Sequence, residues 1–135
     1  MRLWHKDLID VLPDKQLQGQ WRECCLIAKG LHDGTLNHLL VNKVKEYPVG
    51  QFVTYTSWVF FEMKKRGKNP LWKNFSRYFD GIDVVYLAQD VFVGWHNDRY
   101  LRQCYYNLQE KYDCGGISDE EWSKIAVACR DIQDL

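Results

Sequence analysis

Residues 14–28 read DKQLQGQWRECCLIA, and the spacing of Leu17, Trp21, Cys24, Cys25 and Ala28 puts these apolar side chains on one face of an α-helix. Asp14 is the expected amino-terminal cap, and Gly30 with the turn His32, Asp33, Gly34 is expected to end the helix. Gly19 lies one turn before Glu23 on the same face, where a glycine costs about 1 kcal/mol relative to alanine. Two readings account for that cost. The glycine allows close helix packing, or it leaves room for a second backbone or a substrate sugar beside Glu23, whose side chain leans toward the preceding turn.

Outward from this helix the chain continues to read as helical. The start, MRLWHKDLIDVL, is a short helix or turn that ends at Leu12 and Pro13. Thr35 is expected to cap a helix through Leu36, Leu39, Leu40 and Val44, closed at Tyr47 because the residue before Pro48 avoids helical geometry. Residues 51–66, QFVTYTSWVFFEMKKR, exceed the usual strand length of about 4–8 residues and end in three cations followed by Gly67, which favours a helix. Residues 69–95 mix turn signals with short apolar runs and are expected to be irregular, or a helix flanked by loops. Asn97 or Asp98 opens a helix through Tyr100, Leu101, Cys104, Tyr105, Leu108 and Tyr112, which Gly115 and Gly116 end. Ser118 and Glu121 then form a capping box for a last helix with Trp122, Ile125, Ala126 and Cys129. The expected fold is all-α: a compact single-domain helical bundle with irregular loops over residues 1–135.

At 46% hydrophobic and 15% aromatic, the chain supplies a dense core with rings to spare for a groove. Five cysteines, an odd number without a Cys-x-x-Cys pair, argue against a disulfide framework and a zinc site and for reduced thiols. No stretch approaches the roughly 18 apolar residues of a membrane span, so a cytoplasmic, non-membrane protein is expected. Basic and acidic residues balance at 18 each, which counts against nucleic-acid binding. Their distribution is uneven: net +4 over residues 1–68 and net −4 over residues 69–135, so a basic face fits within a neutral chain. Phosphate-loop, dinucleotide, zincin and serine-hydrolase motifs are absent, and His5, His32, His38 and His96 lack a partner at helical spacing, so no metal is expected.

The pair MRLWHKDLI and LQGQWRECC resembles the amino-terminal pattern of the pyrimidine-dimer DNA glycosylases, the phage-type ultraviolet-damage glycosylases with abasic-site lyase activity and their bacterial relatives. Asn37 with His38, the helix end at residues 62–67, and His96 leading into residues 107–111 are similar to segments in the same order in that family. The likeness covers most of residues 1–112 and is sharpest in residues 1–5 and 14–25. It implies an all-helical domain whose amino-terminal α-amine attacks C1′ of a damaged nucleotide, expels the base and forms an imine. By that likeness Met1 supplies the amine, since bulky Arg2 is expected to preserve it, and Glu23 is the essential carboxylate. Arg2 and Arg22 match arginines that hold the damaged strand. Leu26 and Gln16 stand where the family carries a DNA-contacting arginine and histidine, and residues 130–135, RDIQDL, replace a basic aromatic tail. Those differences bear on the lesion more than on the amine and carboxylate.

The chemistry agrees with an α-amine, whose unperturbed pKa of about 7.7–8.0 leaves roughly a third neutral at pH 7.5, against about 0.1% for a lysine. Lys43, Lys45, Lys64, Lys65, Arg66 and Lys68 are either phosphate contacts or solvated cations, and Trp4, Trp95 and Tyr47 either stack on an exposed base or belong to the core. The expected function is a DNA repair glycosylase and abasic-site lyase, acting without cofactor as a monomer on damaged double-stranded DNA carrying a pyrimidine dimer or another lesion. The competing expectation is a non-catalytic helical module that binds nucleic acid or protein and keeps the fold.

Overall fold

The computed structural model describes residues 1–80 and 88–133. Six α-helices and no strand occur among them: α1 (Asp14–Asp33), α2 (Val49–Lys65), α3 (Lys73–Ser76), α4 (Asp98–Asp113), α5 (Asp119–Ala128) and α6 (Arg130–Gln133). The fold is all-α, as the periodicity implies. Short 3-10 turns at Lys6–Leu8 and Asn42–Glu46 join them.

Helix α1 buries Leu17, Trp21, Cys24 and Ala28 of the expected apolar stripe, leaves Cys25 half-buried, and buries Ile27 and the polar Gln20 besides. Its ends differ from expectation. Pro13 occupies the cap position without a side-chain bond, and Asp14 begins the helix, where its carboxylate pairs with Arg66 at 3.0 Å. Gly30 lies inside the helix, which runs on to a left-handed Gly34 at φ 69°. Gly30 instead makes room for the returning chain: a Cβ there would stand 3.3 Å from the backbone of Leu36.

The helix expected after Thr35 does not form; only the 3-10 turn at Asn42–Glu46 is present. Side chains take over the backbone partners a helix would use: Asn42 Oδ1 accepts from His38 N–H (3.1 Å) and His38 Nδ1 from Leu40 N–H (3.3 Å). Leu36, Val41 and Val44 are buried, whereas Leu39 and Leu40 are not, so the apolar residues make no continuous helical stripe.

Helix α2 is enclosed on most sides, burying Phe52, Val53, Thr54, Tyr55, Thr56, Ser57, Val59 and Met63. That enclosure is why its sequence shows little amphipathic period. Its buried hydroxyls donate to carbonyls three or four residues earlier: Thr54 to Gly50, Thr56 to Phe52 and Ser57 to Thr54. Gly67, at φ 78°, ends it: Gly67 N–H returns to Lys64 O and Lys68 N–H to Met63 O. Helix α1 packs against α2 and α3, while α5 and α6 pack against α4.

In residues 69–95 the described part holds α3 and loops, while residues 81–87 lie outside the described residues. Asn97 caps α4 by accepting from Tyr100 N–H (2.9 Å), and the Ser118–Glu121 capping box opens α5. The last helical stretch breaks at Cys129 into α5 and α6, which together bury Ile125, Cys129 and Ile132.

Candidate active site

Chain ends normally fray because nothing holds their backbone. Here the first residues thread between the helices, with Leu3, Trp4 and His5 all buried, so their polar groups need partners from the surroundings. Gln20 and Glu23, three apart on α1, meet residues two apart on this segment. Arg2 N–H donates to Glu23 Oε2 (3.2 Å), and Arg2 O accepts from Gln20 Nε2 (2.9 Å). Trp4 N–H donates to Gln20 Oε1 (2.7 Å). Two tyrosines secure the carbonyls: Tyr55 of α2 donates to Trp4 O (2.5 Å) and Tyr100 of α4 to Leu3 O (2.6 Å). Burial pushes both hydroxyls above the ordinary tyrosine range, so both stay protonated donors.

One turn later, Lys6 N–H donates to His96 Nδ1 (3.0 Å), and the His96 ring stacks on His5 at 5.2 Å. Burial, with the neighbouring His5 and Lys6, pushes His96 down to about 2, so its ring is neutral and Nδ1 is free to accept.

These contacts limit where the Met1 amine can lie. Covalent geometry keeps the Met1 nitrogen within about 3.6 Å of the Arg2 nitrogen, so the α-amine lies within about 7 Å of Glu23 Oε2. Met1 is 40% exposed, and Glu23 is half-buried. Both line a cavity of about 210 Å³ with Arg2, Trp4, Leu40, Asn107 and Lys111. Two neighbouring hollows share its walls. One of about 490 Å³ adds Tyr100, Gln103, Tyr106 and Glu110; another of about 290 Å³ adds Leu39, Lys43, Trp95 and Arg99. Leu40 borders all three.

Arg2, Lys43, Arg99 and Lys111 outnumber the two carboxylates, Glu23 and Glu110, along this continuous cleft, so a neutral chain presents cations here. Arg22 is exposed beside Glu23 on α1. Among the described residues, and apart from its own helix backbone, a Cβ on Gly19 would meet only the Arg22 guanidinium, at 3.8 Å, so no described helix packs through that glycine.

The remaining sequence candidates lie elsewhere. Lys64, Lys65 and Arg66 sit at the carboxyl end of α2, and Arg66 clamps the start of α1 through Leu12 O, Asp14 and Glu62. Asp14 is nine residues before Glu23, about 13 Å along the helix axis. Lys45 donates to Leu36 O. Trp4 is buried under the Arg2 guanidinium (5.0 Å), and Tyr47 bridges Val93 O and Trp95 N–H, so these rings hold the fold. A separate hollow of about 480 Å³ at Lys6, Asp10, Trp58 and Lys65 lacks both Met1 and Glu23.

Sequence reasoning missed Gln20, Tyr55 and Tyr100, which pin the amino-terminal segment, and the far wall of the cleft on α4. The wall had a signal: Arg99, Gln103, Asn107 and Lys111 recur every four residues, a polar ladder that also fits a solvated helix face. Among the described residues all five cysteines are free, no cluster could hold a metal ion, and no helix is long and apolar enough to cross a membrane.

Residues 1–74 match the family model of the pyrimidine dimer DNA glycosylases. No curated protein and no solved structure matches the chain. The match takes in the amino-terminal segment, Glu23 and all of α1 and α2, more than half of the 135 residues, and the chain therefore belongs to the pyrimidine dimer DNA glycosylase family.

Proposed function

We propose that this protein is a DNA glycosylase with abasic-site lyase activity, using the Met1 α-amine as nucleophile and Glu23 as acid and base. The observation that carries the proposal is the Arg2 N–H bond to Glu23 Oε2, which ties the end of the chain to a carboxylate in an open cationic cleft. The neutral amine attacks C1′ of the damaged nucleotide, and the base leaves with the bonding pair. Glu23 carboxylate takes the proton that the amine nitrogen sheds and passes it to the sugar oxygen as the ring opens, and an imine links Met1 to C1′. Glu23 carboxylate then removes a C2′ proton, the resulting enamine expels the 3′ phosphate, and water hydrolyses the imine.

Arg2, Arg22, Lys43, Arg99 and Lys111 hold phosphates of the strand in this scheme. Lys64 and Lys65 reach phosphate only where the duplex extends along α1 toward its amino end. Pyrimidine dimers, or another lesion that distorts the duplex, are selected because distortion lowers the cost of extruding a nucleotide. Both reacting groups come from one chain, so a monomer suffices, and no step calls for a cofactor.

Borohydride trapping on abasic-site and ultraviolet-irradiated duplexes tests this. A covalent adduct is expected with a free Met1 amine, none with that amine acetylated, and no strand cleavage with Glu23→Gln. Absence of adduct on both duplexes with a verified free amine would sink the lyase and leave a DNA-binding module.

A further inference from the structure

We infer that the turn carrying Leu39 and Leu40 is a wedge that enters the DNA base stack beside the reacting nucleotide. Leu39 is 88% exposed and Leu40 49%, whereas their neighbours Leu36 and Val41 are buried. The turn does not depend on the two leucines for its shape. His38 O accepts from the N–H of Val41 (3.0 Å) and of Asn42 (2.9 Å), while Asn42 Oδ1 accepts from His38 N–H (3.1 Å) and Asn42 Nδ2 donates to Asn37 Oδ1 (3.2 Å). Two large aliphatic side chains are thus held in water on a turn that side chains brace from both ends.

Their place in the cleft gives them a use. Leu40 borders the Met1 and Glu23 cavity, and Leu39 borders the hollow that contains Lys43 and Arg99. Cations therefore line both hollows that the leucine pair borders, Arg2 and Lys111 with Leu40 in one, Lys43 and Arg99 with Leu39 and Leu40 in the other. A protein partner has no need of that many cations around an apolar tip; a nucleic-acid duplex does, since its bases are apolar on their faces and its strands are anionic. Apolar side chains inserted between base steps unstack and kink a duplex, and one that fills vacated space holds a nucleotide out of the stack. Trp4 and Trp95, the aromatic alternatives, are too buried to reach.

The inference rests on the DNA substrate proposed above, but its test separates the two. The first arm uses a duplex carrying a tetrahydrofuran abasic analogue, which cannot form an imine, with 2-aminopurine beside it. Binding of the unaltered protein is expected to raise 2-aminopurine fluorescence, Leu39→Ser with Leu40→Ser to abolish most of the rise at saturating protein, and Leu40→Met to keep it. The second arm compares borohydride trapping on a natural abasic site in duplex and in single-stranded DNA. The double variant is expected to lose about tenfold more rate on the duplex than on the single strand, because only the duplex must be unstacked. A full fluorescence rise in the double variant, or equal losses on both strands, would overturn the wedge. If the unaltered protein forms no adduct on either strand, the lyase proposal falls, and the fluorescence arm still decides the wedge.

Discussion

Helix α1 meets the amino-terminal segment with Gln20 and Glu23, two polar side chains consumed in hydrogen bonds to backbone. Across the same cleft, α4 lines the hollows with Arg99, Gln103, Asn107 and Lys111, while Tyr100 and Cys104 contact the segment. The first wall lies within the family match at residues 1–74 and the second outside it. One wall is therefore tied to the buried amino-terminal segment, and the other is largely an open surface.

The sharpest test of that division is Glu23→Gln, expected to lower single-turnover strand cleavage by about 100-fold or more, as loss of a general acid and base does. A comparable loss from Asn107→Ala would break the division by making α4 part of the chemistry. Next in size is stability. Gln20→Leu leaves Trp4 N–H and Arg2 O without partners in a buried site and is expected to cost about 3 kcal/mol in urea denaturation. Asn107→Ala, on the open wall, is expected to cost less than about 0.5 kcal/mol.

His96 and His5 join the two parts of the chain, so acidity probes their union. With His96 pushed down to about 2 in the fold and at 6.5 when unfolded, the unfolded chain takes up a proton that the folded chain refuses. Stability from this source is full above about pH 6.5 and falls with acidity, by about 1.4 kcal/mol between pH 7.5 and 5.5 for His96 alone. Burial shifts His5 in the same direction and adds to the loss. Denaturation at the two pH values measures it, and His96→Gln, which keeps an acceptor for Lys6 N–H, is expected to remove the His96 share. On DNA binding the effect of Lys111→Ala is modest: affinity weaker by about threefold to tenfold and a log–log salt slope shallower by about 1, measured by anisotropy. Glu23→Gln is expected to leave that slope unchanged.

The long helices were legible because their apolar spacing and stop signals agree: Leu17 to Ala28 in α1, the Gly67 end of α2, Asn97 and Ser118 as caps. Residues 35–48 were not, because Leu39 and Leu40 complete a helical pattern in sequence yet face water, and hydrogen bonds from His38 and Asn42 side chains replace the ladder. Met1, Arg2 and Glu23 were candidates through resemblance, and all three line one cavity. Gln20 was invisible: a glutamine on an apolar face signals nothing until the segment it satisfies is in place. Arg66 stood in a basic run that suggested phosphate, but its guanidinium faces carbonyls and carboxylates at the start of α1.

The side-chain clamp on residues 2–6 also sets how the amine end opens. Amides near a terminus ordinarily exchange with solvent hydrogen through local fraying, whereas those of Arg2, Trp4 and Lys6 are bonded to Glu23 and Gln20 of α1 and to His96 just before α4. Releasing them requires withdrawing the buried segment from both α1 and His96, so their exchange is expected to follow a wide opening of the fold. The amino-terminal segment is expected to be among the last places to loosen, which would keep the proposed nucleophile near Glu23 while the protein stays folded.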